Sequence, residues 1–554
     1  MKMLLPVAAL SLAALFPAQE AKACGGFFCS RSPVDQTQEH ILFAVGPGDS
    51  TTMVVQIGYA GGDSDFSWVL PLGDVPQADS LAVFPQLAMT SLAANTGPIF
   101  NVPQDCWQYF GAVDSATGGG PPNQRDEDGV TVHIREEVGP YDVAVVESRD
   151  ALALTSWLTT NGYRVTTPME PYIAEYAAEG MKFLALKLLP GADVTMIQPL
   201  KLTLPGQSPM VPIRLTAIAA EPEMGILVTI VGAQRFEPAN WPSVTVRDEE
   251  IAYNPFNVWG NNGTNWTALV ARKVDEAGGQ GFVTESAGSS AEMEEMIRNS
   301  PANTPEQTAA RDALLGVLEG RTYFTRLYTR LSPEEMRTDP IFRLSNGGDV
   351  SRQHQLSRVV DGVDMCPDQQ QPVQPSPCDF TTCGAGGACH LDLSGRAGCA
   401  CVDQATARAV ASPSGGTSVT CQDARMSFVN PGDIDQASGE RIADPCLGVA
   451  CGGHGRCVSM NLTTTCTCDR GFIAVADATS GVSCTESASP VDERFYDRTL
   501  PEPAHPGRDV EPPPARRVAN GCACASTQSL PVGAAALLLV GLMGRWRRRG
   551  ACVH

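Results

Sequence analysis

The chain has 554 residues, length for several domains, with 39 Lys and Arg against 61 Asp and Glu, a net charge of −22. An acidic chain of this kind repels phosphate backbones, which argues against nucleic acid as a partner. Hydrophobic residues at 43% exclude wholesale disorder, and 19 cysteines in clustered spacings point to an oxidising compartment.

The N-terminus reads as a secretory signal over residues 1–23. Lys2 precedes an apolar stretch over residues 4–16, and Ala21-Lys22-Ala23 supplies the small-x-small pattern that signal peptidase accepts. Cleavage after Ala23 leaves Cys24 at the mature N-terminus. Lipidation of Cys24 is the alternative, although Lys22 fits a lipoprotein signal poorly.

Residues 24–365 carry mixed periodicity and no long linker. Met53-Val54-Val55-Gln56-Ile57, Val143-Ala144-Val145-Val146 and residues 226–231 are apolar, β-branched runs, predicted as buried strands. Asp150 caps a predicted helix whose Leu154, Trp157 and Leu158 share one face, with Asn161-Gly162 as the stop. Thr304-Pro305-Glu306-Gln307 is a capping-box start, and Gly320 ends that helix. Ser332-Pro333-Glu334-Glu335 repeats the start signal, so its two carboxylates are expected to serve a helix dipole. Strands and helices do not alternate regularly, which predicts an α+β domain with a mixed, mostly antiparallel sheet.

Chemistry is sparse in this region. No G-x-S-x-G elbow, H-E-x-x-H helix or P-loop occurs. His40, beside Glu39, and His133 are the only histidines before residue 350, and packing is the ordinary use of such a lone residue. Asp126-Glu127-Asp128-Gly129 follows a Gly/Pro run and reads as a solvated loop. No catalytic residue is assigned.

A Pro/Gln linker over residues 366–377 leads to two cysteine blocks. Block one (378–421) holds Cys378, Cys383, Cys389, Cys399, Cys401 and Cys421. Block two (446–484) holds Cys446, Cys451, Cys457, Cys466, Cys468 and Cys484 at nearly the same spacings, with a linker over 422–445 between them. Each block is too small to fold on apolar burial alone and needs covalent staples. Six cysteines allow 15 pairings, among which spacing does not choose. Zinc fits these spacings poorly. Calcium is the one candidate cofactor, through Asp433, Asp435 and Asp444, with polar linker residues as the competing reading. Of the remaining cysteines, Cys24 with Cys29 and Cys106 with Cys366 is the simplest pairing, and others stay open.

Residues 485–521 hold seven prolines and read as an extended stalk reaching on the order of 110 Å. The C-terminal segment 522–554 follows Gly521 and opens with Cys522 and Cys524. It continues through an apolar stretch over residues 530–544 and closes on Arg545, Arg547, Arg548 and Arg549. Fifteen helical residues span roughly 22 Å, short of a ~30 Å hydrocarbon core, which suits a sorting signal better than a permanent span.

Three resemblances add to this reading. Cys24-Gly25-Gly26-Phe27-Phe28-Cys29, Asp65-Phe66-Ser67-Trp68-Val69-Leu70-Pro71, Val138-Gly139-Pro140-Tyr141-Asp142-Val143 and Leu331-Ser332-Pro333-Glu334-Glu335-Met336 resemble a bacterial exported family known as domain of unknown function 2330. It implies no activity. The C-x-C of each cysteine block resembles EGF modules, which implies first-to-third, second-to-fourth and fifth-to-sixth pairing. The C-terminal order of cysteines, short apolar helix and Arg cluster resembles the MYXO-CTERM sorting tag of myxobacterial surface proteins, which implies processing near Cys522.

The expected protein is an exported, non-enzymatic chain at the cell surface, outer-membrane anchored through its processed C-terminus and displaying a binding or structural head. Its expected partners are signal peptidase, a C-terminal sorting protease, the cell envelope, and a protein or glycan ligand of the head. The alternatives are a secreted hydrolase, which requires His40 or His133 to meet a Ser and an acid, and a calcium-dependent adhesin.

Overall fold

The computed structural model describes residues 35–46, 48–60, 67–103, 131–163, 165–192, 196–206, 208–254, 263–364, 375–411, 417–434, 441–478 and 481–507. Ala23, Cys24, Cys29, Cys106, residues 126–129, Cys366, Asp435, Gly521, Cys522, Cys524, Arg545, Arg547, Arg548 and Arg549 lie outside the described residues. Among the described residues no helix is long and apolar enough to cross a membrane.

Among the described residues twelve strands form the two main sheets of the head: β1 (Asp35–Val45), β2 (Ser50–Ala60), β3 (Ser67–Leu72), β4 (Ala82–Val83), β5 (Thr131–Val138), β6 (Tyr141–Glu147), β7 (Lys182–Leu188), β8 (Leu200–Pro205), β9 (Ala220–Gly232), β10 (Ser243–Val244), β11 (Phe282–Ser289) and β12 (Tyr323–Leu331). Eight of them form one sheet in the order β10-β11-β12-β9-β1-β2-β8-β4, and β3-β7-β6-β5 form a second. Within these two sheets β1 with β9 and β10 with β11 run parallel, as does the small pair Ile99–Asn101 with Gln353–Gln355; the remaining pairs are antiparallel, so the α+β class with mostly antiparallel pairing holds. The three apolar runs of the sequence fall inside β2, β6 and β9.

Six helices complete the head: α1 (Gln86–Thr96), α2 (Ala151–Thr160), α3 (Glu170–Ala178), α4 (Trp266–Glu276), α5 (Ser290–Arg298) and α6 (Pro305–Leu318). The Asp150 carboxylate accepts from the Leu152 and Ala153 amides and starts α2, which buries Leu154, Trp157 and Leu158. Thr304 and Gln307 close a capping box at α6, with Pro305 in its first turn. Alternation in β1 divides the interior. Leu42 and Ala44 face a layer made by α1, α5 and α6, while Ile41 and Phe43 join the main core shared with the second sheet.

The turn at Ser332 departs from expectation. Pro333–Glu335 is a single 3₁₀ turn, not the start of an α-helix, and both glutamates are buried. The capping-box bond forms, with the Ser332 amide donating to Glu335 Oε2 at 2.8 Å. Met336 then drops into the core, and Pro340 disfavours helix at the residue before it.

Each cysteine block is bridged first to third, second to fourth and fifth to sixth. The bridges are Cys378–Cys389, Cys383–Cys399 and Cys401–Cys421, then Cys446–Cys457, Cys451–Cys466 and Cys468–Cys484. The first block folds as hairpins Gly387–Leu391 with Ala397–Cys401 and Ala405–Ala411 with Thr417–Asp423. The second repeats them as Gly455–Met460 with Thr463–Cys468 and Phe472–Asp477 with Gly481–Glu486.

The blocks are not separate beads. Cys399 pairs with Ala474 and Ala407 with Cys466, so each four-stranded sheet takes one hairpin from each block. The two bridges are equivalent in the repeat: a fourth cysteine faces the alanine that follows the other block's fifth cysteine by six positions. One apolar core, rich in cysteine and alanine, serves both blocks.

Two linker expectations are corrected. Met426 and Phe428, inside the expected spacer 422–445, are buried in the head's core together with Val458 and Met460 of the second block. The stalk expected from residue 485 is packed down as far as residue 507. Val491 and Tyr496 are buried, and Arg470 binds Asp403, Glu493 and Asp497. His505 reaches α3, 3.0 Å from Glu175 and edge-on to Tyr172. Aromatic and aliphatic residues among the prolines, some of them on the short helix Glu493–Tyr496, give this segment something to bury.

A Cβ at Gly398 would lie 2.6 Å from both Ala474 O and Val475 Cγ1. Gly398→Val should therefore force the blocks apart and lower stability by about 1–3 kcal/mol in non-reducing chemical denaturation. Gly348→Ala, whose Cβ meets nothing within 4 Å, should leave the midpoint in place.

Candidate functional site

The head and the first cysteine block meet at the beginning of β9. Gln36 of β1 pairs with Ala220 and Gln38 with Gly225, so two steps along β1 face five along β9. The extra residues form a bulge, a device that re-aims side chains at the end of a sheet. Glu223 at its tip has φ of +60°, a conformation that costs a residue with a Cβ roughly 1–2 kcal/mol. Its amide donates to Ser332 Oγ at 3.2 Å.

The bulge directs two carboxylates at the cysteine block. Glu221 accepts from Arg408 at 2.6 Å. Glu223 lies between Arg330, at 3.8 Å, and the first block, where a Cβ at Gly384 would sit 3.6 Å from its Oε1. Glu334 and Glu335 come from the 3₁₀ turn, Asp275 from the last turn of α4, and Asp423 from the end of the block's last strand. Arg425 grips Asp423 through Nε and Nη2. Asp275, Glu334 and Glu335 line a cavity of about 250 Å³, closed by Val402 of the block and Leu500 and Pro501 of the returning tail.

Arg337 and Arg498 also line the cavity, but Arg337 donates to Gly278 O and Arg498 lies over Phe495, and neither forms an ion pair with these carboxylates among the described residues. Burial, then the charges of Asp423 and Glu223, push Glu334 up to about 8. Glu335 is driven well above the carboxylate range by burial and by Asp275, and Asp275 likewise by burial and by Glu223. Glu223 is also raised by burial, with Arg330 and the Thr382 hydroxyl opposing. A neutral carboxyl is the cheap state of an acid held away from water and from a partner cation. The arrangement can therefore take up and release protons. Among the described residues no group of three His, Cys, Asp or Glu is arranged to hold a metal.

The sequence-derived candidates fall elsewhere. His40 lies on β1, 8% exposed, and burial with the charge of Arg326 pulls it down to about 3, so it is neutral at physiological pH. His133 is on β5 of the second sheet, 3.1 Å from Glu147. The two histidines do not share a site, and among the described residues no hydroxyl is hydrogen-bonded to either. Asp433 accepts from the Asn430 amide and Asp444 from the Cys446 amide, so both fold local turns.

Two polar centres went unread in the sequence. His354 Nδ1 lies 2.8 Å from Asp248, with the ring stacked on Phe100 and tilted against Trp266. Its Nε2 is buried without a partner, so no nucleophile completes the pair. Arg326 binds Glu285 at 2.5 Å and also donates to Ala93 O and Thr96 Oγ1, while Trp266 Nε1 donates to Glu285 at 2.7 Å. This network ties α1 and α4 to the sheet.

The architecture defines a disulfide-stapled α+β protein whose two cysteine blocks are joined to each other and to the head. Residues 17–343, more than half of the chain, match the family described as "Uncharacterized protein conserved in bacteria (DUF2330)", and the chain belongs to it. No curated protein and no solved structure matches.

The raised carboxyls set the direction of a pH effect. A carboxyl whose pKa is higher folded than unfolded stabilises fully below the ordinary carboxyl range. That contribution falls as the pH climbs and is gone above the folded value. Stability should accordingly decline from pH 5 towards about 8, the value at Glu334, by on the order of a few kcal/mol. Glu334→Gln should flatten the decline and be more stable than the parent at pH 9, as read by urea denaturation across that range.

Proposed function

We propose that this chain is an exported, non-enzymatic protein of the bacterial cell surface, anchored through its C-terminus and presenting its head for binding or for building the envelope. The observation that carries the reading is the twelve-cysteine unit. Six bridges at the centre of a shared core belong to an oxidising, extracytoplasmic compartment, where thiols are not held reduced. The signal at residues 1–23 and the tag at 522–554 supply the two addresses such a route needs, with signal peptidase and a sorting protease acting at them.

Head, blocks and tail share packing as far as residue 507, and the EGF-like blocks serve as the base of the displayed body. The hydrolase reading requires His40 or His133 to meet a Ser and an acid. His40 is buried and neutral, and among the described residues neither it nor His133 meets both a Ser and an acid. A calcium-dependent adhesin would draw on Asp433, Asp435 and Asp444, of which Asp433 and Asp444 fold local turns and Asp435 lies outside the described residues.

Protein recovered from intact cells after surface biotinylation, then mapped by non-reducing peptide mass spectrometry, tests the proposal. The expected chain starts at Cys24, ends near Cys522 and carries all six bridges. Protein that resists biotinylation, keeps residues 545–554 and has free thiols would contradict it.

A further inference from the structure

The helical layer does not cover the whole of the large sheet. Where α6 stops short of β8 and β4, a cleft of about 340 Å³ opens, a size that accepts small organic ligands. Phe84 and Pro85 ahead of α1, together with Ala313 and Val317 of α6, give it apolar walls. Two cations reach into it: Lys201 from β8 and Arg321, just past the end of α6.

Both cations lack a counter-ion, in a chain where acids outnumber bases by 61 to 39. Lys182, Lys187 and Lys273 each bind a carboxylate, yet the Lys201 side chain has no ion pair or hydrogen bond among the described residues. Arg321 is held in place by Nη1, which donates to Val317 O at 2.8 Å and Glu319 O at 3.1 Å at the C-terminus of α6. Its Nε is buried without a partner, and no carboxylate approaches within ion-pair distance. Asp312 at the rim is occupied by Arg311, at 3.0 Å. Glu319 is the nearby negative charge but makes no ion pair with Arg321, and a guanidinium drawn partly out of water without an anion in contact costs free energy that a bound anion would offset.

We propose that this cleft binds a small carboxylate with an apolar tail. The carboxylate sits between Lys201 and Arg321, and the hydrocarbon lies along Phe84, Pro85 and Val317. Inorganic phosphate would satisfy the cations but leave the walls wet, and a neutral alcohol would do the reverse. The proposal does not depend on where the protein is displayed.

Isothermal titration of the full oxidised chain with sodium hexanoate, hexanol and inorganic phosphate tests it. Hexanoate should saturate one site and bind at least tenfold more tightly than either of the others. Lys201→Met should weaken hexanoate at least tenfold without weakening hexanol. Gly316→Phe should abolish hexanoate binding, because it fills the cleft from a position where a Cβ meets nothing within 4 Å. Thermal midpoints equal to the parent's show that both variants fold. The proposal is overturned if hexanoate does not saturate, if hexanol or phosphate binds as tightly, or if either folded variant keeps parental affinity.

Discussion

The parallel ladder between β1 and β9 is the constraint on which the molecule depends. Two strands far apart in sequence are buried against each other over most of their length, and β2 and β12 add to them on either side. Closing so long a loop is entropically unfavourable, and burial on both faces of the ladder offsets it. Leu42, Ala44 and Val231 seat the helical layer, while Ile41, Phe43, Val228 and Ile230 seat the main core. The same β9 carries the bulge at its first turn of register. The strand that fixes the head's core thus also fixes where Glu221 and Glu223 point, and with them where the first cysteine block docks.

That dock sets unlike requirements against each other. Arg408 with Glu221 and Arg425 with Asp423 are satisfied pairs, but Glu334, Glu335 and Asp275 are buried together without an ion-pair partner among the described residues. Apolar burial of Met426, Phe428, Val458 and Met460 holds the junction shut while the carboxyls keep their protons. The cysteine blocks complete the logic. Disulfides fix each block internally, whereas reciprocal strand pairing and a common core join one block to the other, because neither alone encloses enough apolar surface. The tail then clasps both parts, through Tyr496 on the blocks and His505 on α3.

Local signals in the sequence were legible wherever local physics decides. The capping residues Asp150 and Thr304 and the β-branched runs within β2, β6 and β9 read correctly because backbone and short-range bonding determine them. Glu334 and Glu335 misled for the same reason: a capping box looks alike whether a long helix or one turn follows. The nearby Asp339-Pro340 was the available sign of a short turn. Burial of those glutamates comes from a block that docks from elsewhere in the chain, which no local pattern encodes. His354 and Asp248 escaped notice because the tertiary fold alone brings them together. The cysteine repeat announced two stapled units but not their interlock. Met426, Phe428 and Val429, apolar residues in a supposed spacer, were the missed hint that the spacer is buried.

Native-state hydrogen exchange on the oxidised full chain would test the central claim, that the two cysteine blocks fold as one unit. The account predicts that amides in Ala397–Cys401, Ala405–Ala411, Thr463–Cys468 and Phe472–Asp477 open with a single free energy and lose protection together as denaturant is added. Two separate opening free energies, one for each block, would contradict it.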